Sequence, residues 1–249
     1  MRKTLVAAIA AFTALAITAV ALAQNPAPVV NVTGTVSPKK AGTKKKPKPT
    51  TLSLHITNSE ESKSSAKRIA IDTPGTLKVD TKGMKTCNAA ALAANGPSAC
   101  PAKSKAGSGN SIANLNPDSP SKLYFKTTPY VTGKNKLAFY LQQTSGENGP
   151  VDDNGVAQSL PATLKKHGNG QRLTINIPAN LQQPAPGVYS ALLEINSKLG
   201  LKNGKHALVS STGCKSKKQK VGVTISYVPN PNPPAKSSVA KTGGISCSK

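Results

Sequence analysis

The feature that most restricts the fold of this chain is a repeated alternation of apolar and polar residues with a period of two. Leu52, Leu54 and Ile56 alternate with polar residues, which is typical of a strand with one buried face. The pattern returns in short runs separated by turn-forming residues, at 69–71, 77–79, 123–125, 137–141, 173–177, 189–195 and 221–227. The pattern predicts an all-β fold, an antiparallel β-sandwich of the immunoglobulin-like or jelly-roll-like kind.

The beginning of the chain has the pattern of a signal peptide. Arg2 and Lys3 precede an apolar stretch at 5–20, and Ala21-Leu22-Ala23 provides the small-x-small sequence of a cleavage site. We predict cleavage after Ala23, with an uncleaved membrane anchor as the alternative. Because no later stretch of about 18 apolar residues exists, we expect no transmembrane segment after cleavage. The protein is therefore predicted to be secreted or extracytoplasmic.

Export determines how the four cysteines are interpreted. An even number of cysteines outside the cytosol predicts disulfides, and Cys87, Cys100, Cys214 and Cys247 allow three connectivities. We favour Cys87–Cys100 and Cys214–Cys247, because each pair is local and closes a loop that contains Pro and Gly. The alternative is a metal site, which is disfavoured because the chain lacks a CxxC motif. Residues 88–94 have helical composition and predict one short helix inside the first disulfide loop.

The strand pattern divides the remaining chain into three parts. Residues 24–50 are rich in Pro and Lys and predict an extended, mobile arm or a strand entering a sheet edge. Residues 51–228 hold the strand runs and predict the β-sandwich domain. Residues 229–249 predict a Pro-rich tail, tied back if Cys247 is in a disulfide.

Positive charge is the most unusual property of the composition. The chain has 33 Lys plus Arg against 9 Asp plus Glu, a formal net charge of +24. We favour a solvated lysine coat that keeps an exported protein soluble. The alternative is that the densest basic segments bind anionic envelope polymers or lipid, through Lys39, Lys40, Lys44, Lys45, Lys46, Lys48, Lys215, Lys217, Lys218 and Lys220. Lysine is a point charge without the planar fork of Arg, so sequence-specific nucleic-acid binding is not predicted.

No motif in the sequence predicts catalysis. The three histidines, His55, His167 and His206, have no ligand spacing, and there is no G-x-S-x-G elbow. The acidic cluster at 152–155 lacks calcium-loop spacing, and the Gly-Ser-Gly at 107–109 lacks P-loop spacing and predicts a flexible loop. We therefore predict no catalytic residue, no metal and no cofactor.

One block of the chain resembles a known group of proteins. The sequence "TCNAAALAANGPSACPAKSKAGSG", followed later by "PGVYSALLEI", is similar to uncharacterised exported proteins of high-GC Gram-positive actinobacteria of the Thermoleophilia type. The resemblance implies an exported β-rich protein and is consistent with a Cys87–Cys100 bridge. It implies no activity.

These observations favour a secreted structural or binding protein of the cell exterior. The first alternative is an envelope-retained polyanion binder that uses the lysine-rich segments. The second is a secreted hydrolase with a site assembled from distant loops. A histidine within hydrogen-bond reach of a serine and an acid, in a concave pocket, would favour the hydrolase.

Overall fold

The computed structural model describes residues 26–59, 64–116, 121–214, 218–228 and 236–248. The predicted signal peptide lies outside these ranges. The strands are β1 Val30–Lys40, β2 Lys48–Pro49, β3 Thr51–Asn58, β4 Ala66–Thr73, β5 Leu77–Val79, β6 Gly107–Asn116, β7 Ser121–Gly133, β8 Lys136–Thr144, β9 Ala157–His167, β10 Gly170–Asn176, β11 Tyr189–Leu199, β12 Lys202–Asn203, β13 His206–Ala207, β14 Val209–Ser211, β15 Lys218–Tyr227 and β16 Ser238–Ser248. The helices are α1 Ala89–Asn95 and α2 Ala179–Gln182. Within the described ranges, no helix combines the length and apolarity that a membrane crossing requires.

The main sheet closes into a barrel of eleven strands. Their order is β1-β16-β15-β4-β10-β9-β8-β7-β6-β11-β3, and β3 pairs with β1 to complete the ring. All pairings in the ring are antiparallel except that between β1 and β16, which is parallel. The all-β class predicted from the sequence is correct, but the predicted β-sandwich is wrong.

Two strands that the sequence patterns did not predict cause the closure. Without β1 and β16 the sheet would have two free edges, at β3 and at β15. Residues 30–40, predicted as part of a mobile arm or of a strand entering a sheet edge, form β1, which is hydrogen-bonded on both sides and is therefore not an edge strand. Residues 238–248, predicted as part of a tail, return to the sheet as β16 between β1 and β15. These two strands join the free edges, so the sheet forms a barrel.

Alternation along each strand fills the barrel with apolar side chains. On β3, Leu52, Leu54 and Ile56 are buried while His55 is exposed. β1 follows the same rule, with Val30, Val32 and Val36 buried in the main core. The alternation explains how a segment rich in Lys and Pro forms a wall strand, because its valines face inward and its polar residues face solvent.

A second, smaller core lies outside the barrel wall. Leu92 of α1 is buried against Tyr130 of β7 and Tyr140 of β8, together with Cys87. Asn88 caps α1, because its side-chain oxygen accepts hydrogen bonds from the backbone N–H groups of the first turn. The helix was predicted at 88–94 and is confirmed at Ala89–Asn95.

Both disulfides have the local connectivity that was favoured. Cys87 bonds Cys100 around α1, and Cys214 bonds Cys247. The second bond joins the segment before β15 to β16, and so helps to hold the end of the chain in the wall. Disulfides of this kind are typical of an oxidising, extracytoplasmic environment.

Candidate binding surfaces: the basic rim and the wall groove

One end of the barrel gathers lysines that are far apart in the sequence. The end of β1 lies beside the end of β16, where Lys40 is opposite Ser248. The start of β15 also lies beside the end of β16, where Lys218 is opposite Ser246. Lys48 lies opposite Ser211 in the small sheet β2-β14-β5. The end of the first lysine-rich segment and the start of β15, which holds Lys218 of the second, therefore lie at the same end of the barrel.

Turns and hairpins bring further lysines to the same end. The β7–β8 turn is held there because the backbone N–H of Asn135 donates to the Thr81 hydroxyl at 2.8 Å. The β12–β13 hairpin is held there because the Asn203 amide donates to the Gly83 carbonyl at 3.0 Å. We call this end the basic rim, and its described lysine side chains are those of Lys39, Lys40, Lys44, Lys45, Lys46, Lys48, Lys78, Lys82, Lys134, Lys136, Lys165, Lys166, Lys202, Lys205 and Lys220.

The described acidic side chains near the basic rim are already paired. Asp80 accepts from Lys78 at 2.8 Å. Burial alone would raise the pKa of Asp80, but hydrogen bonds from the Lys78 side chain and the Lys82 backbone outweigh it and lower the pKa. Asp72 is bound by both nitrogens of the Arg172 fork, each at 2.7 Å. Each of these carboxylates therefore binds an individual cation and does not pair with the other lysines.

The Asp72 pair lies on the outer wall next to a histidine. His167 Nδ1 is 3.4 Å from the Asp72 carboxylate, and the bidentate bond to Asp72 raises the pKa of Arg172. Gly222 is the register partner of Asp72 on β15. The group is a local charge network in which each member contacts another.

The remaining described acids lie away from the basic rim. Glu147, Asp152 and Asp153 lie on the β8–β9 connection, at the opposite end of the barrel, and Glu194 lies on the wall. The segment 152–155 is a polar turn, in which the Asn154 and Gly155 N–H groups both donate to Asp152. Positive charge is therefore concentrated at one end of the described structure.

A groove of about 690 Å³ lies on the outer wall over β1, β3, β11, β6 and β7. We call it the wall groove. Consecutive registers place five outward side chains in one row across these strands, because each residue lies opposite the next. The row is Thr33, His55, Asn196, Asn110 and Lys126.

Neighbouring side chains complete the wall groove. Thr35, Ser53, Lys198 and Ser108 form part of a second row, and the loop at 147–149 borders one side. Gly109 lies in the strand beneath, where β6 passes so close to β11 that an added Cβ would be 2.2 Å from the Asn196 carbonyl oxygen. Glycine at this position therefore permits the close backbone approach of the two strands.

His55 is the residue of the wall groove that most resembles a catalytic group. Its Nε2 lies 3.2 Å from Glu194, and the Asn196 amide donates to the same carboxylate oxygen at 2.5 Å. However, no hydrogen bond joins His55 to a hydroxyl among the residues that the structure describes. The groove thus holds a histidine and an acid, but not the serine contact that a hydrolase triad needs. The described residues also contain no cluster of three or more metal-ligating side chains.

The structure places the residues singled out in the sequence in different parts of the fold. Lys39 to Lys48 and Lys220 meet at the basic rim. Lys215 and Lys217 lie outside the described residues, and Lys218 is located by its backbone alone. His167 joins the Asp72 network and His206 packs beside Gly83. Residues 107–109, predicted as a flexible loop, are instead the start of β6.

Sequence reasoning missed most of the wall groove. Asn110, Lys126, Asn196 and Lys198 carried no motif, and only their alternation with apolar neighbours indicated that they face solvent. Their juxtaposition depends on strand order, which the sequence patterns did not provide.

Comparison with known protein families, with curated proteins and with solved structures found no match to this chain. The resemblance to exported actinobacterial proteins therefore stays an expectation. Any functional conclusion must come from the surfaces described above.

Proposed function

We propose that this protein is a non-catalytic binding protein of the cell exterior that attaches to anionic polymers through the basic rim. The observation that carries the proposal is the convergence of the first lysine-rich segment with the start of β15, which holds Lys218 and Lys220, at one end of a disulfide-linked barrel. Lys44, Lys45 and Lys46 are exposed on the loop that follows β1, and their charges have no described acidic partner.

Lysine chemistry defines the type of binding that this surface supports. Each ammonium group is a hydrated point charge that contacts phosphate or carboxylate without geometric selectivity. Binding through many such contacts releases counterions and therefore weakens as salt rises. The proposed partner is a flexible anionic polymer and not one defined sequence or small molecule.

The experiment compares two variants that lose the same charge. The rim variant is Lys44→Ala/Lys45→Ala/Lys46→Ala, and the control variant is Lys67→Ala/Lys236→Ala/Lys241→Ala, whose exposed lysines lie toward the opposite end. Affinity for immobilised poly(glycerol phosphate) is measured by biolayer interferometry over a series of salt concentrations. We expect the rim variant to reduce the slope of log K against log salt by about 2 and the control variant to leave it nearly unchanged. Equal effects of the two variants would refute a localised binding surface.

A further inference from the structure

The wall groove has the volume of a ligand site, and the proposed function does not use it. Its volume of about 690 Å³ lies within the range of small-molecule sites, which is roughly 300–1,000 Å³. It lies on the barrel wall, where strands hydrogen-bonded on both sides hold its side chains in fixed positions. A site on strands is positioned more accurately than a site on loops.

Several hydrogen-bonding side chains of the wall groove are not used within the protein. Among the described residues, the side chains of Thr33, Thr35, Ser53, Ser108 and Asn110 make no hydrogen bond with another protein group. On the opposite wall, by contrast, Asp72 and Arg172 bind each other. Hydroxyl and amide groups can both donate and accept, which matches the dual character of sugar hydroxyls.

Two lysines of the wall groove can bind an acidic ligand. Lys126 and Lys198 border it and have no described acidic partner. Glu194 lies beside the groove, where it accepts a hydrogen bond from the Asn196 amide and contacts His55, and Glu147 lies on the bordering loop. An anionic group of a ligand would therefore lie beside one of the two lysines, away from these carboxylates.

The wall groove and the basic rim share strand β1. Thr35 lines the groove and Lys40 lies at the rim, and their register partners on β16, Ser246 and Ser248, are only two residues apart. A polymer held at the rim can therefore reach the groove along one wall of the barrel.

We infer that the wall groove binds a hydroxyl-rich carbohydrate segment that carries a carboxylate or a phosphate. The inference rests on the proposed function, because it names the sugar units of the anionic polymer as the groove's ligand. It adds selectivity for sugar units to the non-selective attraction of the basic rim.

Isothermal titration calorimetry on the oxidised chain from residue 24 onward tests the inference. The probes are hexagalacturonate for the carboxylate, a phosphorylated maltohexaose for the phosphate, and maltohexaose as a neutral sugar. The groove variant is Asn110→Ala/Lys126→Ala, and the matched control is Asn176→Ala/Lys67→Ala, which removes the same side-chain types from exposed positions elsewhere. Thermal unfolding of both variants verifies that each is folded.

We expect one of the two anionic probes to bind more tightly than maltohexaose. The groove variant should weaken the binding of that probe at least tenfold, and the control should change it less than twofold. The preferred probe identifies the acidic group. Equal binding by the groove variant and the control would overturn the inference, as would equal binding of all three probes.

The rim variant separates this inference from the proposed function. If the rim variant loses polymer binding while the groove variant binds all three probes normally, the inference fails and the proposed function stands. If the groove variant loses binding to the oligosaccharide while the rim variant retains polymer binding, the groove is a sugar site and the proposed role of the rim fails.

Discussion

Lys48 lies opposite Ser211 in the three-stranded sheet at one end of the barrel, and Ser211 is followed closely by Cys214, which bonds Cys247. This relationship links the first lysine-rich segment to the segment that leads into the second. The basic rim therefore depends on tertiary structure, because strand pairing and the disulfide fix the positions of the two segments relative to each other.

The disulfide at the basic rim is predicted to support both stability and binding. Cys214→Ala/Cys247→Ala removes a link that closes a loop with a sequence separation of 33, and we expect it to lower the free energy of unfolding by about 4 kcal/mol. It should also weaken binding to poly(glycerol phosphate), because the lysine segments then move relative to each other. Urea unfolding and biolayer interferometry provide the two measurements.

The other disulfide is the control for this experiment. Cys87→Ala/Cys100→Ala opens a shorter loop on the outer wall, with a sequence separation of 13, and should cost about 3 kcal/mol while polymer binding remains unchanged. Equal loss of polymer binding in the two variants would contradict the assignment of the rim.

The wall beneath the groove is predicted to require glycine at position 109. In Gly109→Ala the new methyl group would collide with the Asn196 carbonyl oxygen, and a backbone contact between paired strands cannot move aside. We expect a loss of more than about 2 kcal/mol in the free energy of unfolding. Gly146→Ala, where an added Cβ meets nothing within 4 Å, should change it by less than about 0.5 kcal/mol. The stability of both variants is measured by chemical denaturation. Equal stabilities would refute the close approach of β6 and β11 at Gly109.

Tyr227 is predicted to make the fold sensitive to alkali. Its side chain is buried, and its hydroxyl has no described hydrogen-bond partner, so burial raises the pKa of Tyr227. Above about pH 10, where a tyrosine in the unfolded chain ionises, the folded protein retains the proton that the unfolded chain releases. The free energy of unfolding should therefore fall as pH rises above this value.

Tyr227→Phe tests this explanation. At neutral pH the variant should differ from the parent by less than about 1 kcal/mol, since it removes a buried hydroxyl without a partner. Between about pH 9 and about pH 11 it should lose less stability than the parent. Some alkaline loss should remain, because burial also raises the pKa of Tyr130. Identical pH profiles of urea unfolding would show that Tyr227 is not responsible.

The sequence patterns indicated eight of the sixteen described strands, seven of them in the barrel, but not how the sheet closes. Alternation at Leu52, Leu54 and Ile56 identified β3 because it depends only on neighbouring residues. Barrel closure depends on β1 and β16, which lie near opposite ends of the described chain and pair in parallel. In β1 the alternation of Val30, Val32 and Val36 is short and is followed by a segment rich in Pro and Lys, so it was not recognised as a strand.

The candidate sites differ in how far the sequence predicted them. Lys44, Lys45 and Lys46 were recognised as a basic segment because charge density is a local property. The union of this segment with β15 at the basic rim, and the row from Thr33 to Lys126 in the wall groove, depend on strand order and register. Pairings between distant strands leave no pattern in a single segment, so neither surface was predicted.

The measurement that tests the central claim most directly is co-sedimentation of the oxidised chain from residue 24 onward with isolated cell envelopes over a salt series. The account predicts tight binding at low salt that falls steeply as salt rises, with a shallower dependence in the rim variant than in the control variant. Binding that is indifferent to salt, or no binding at any salt, would contradict attachment through the basic rim.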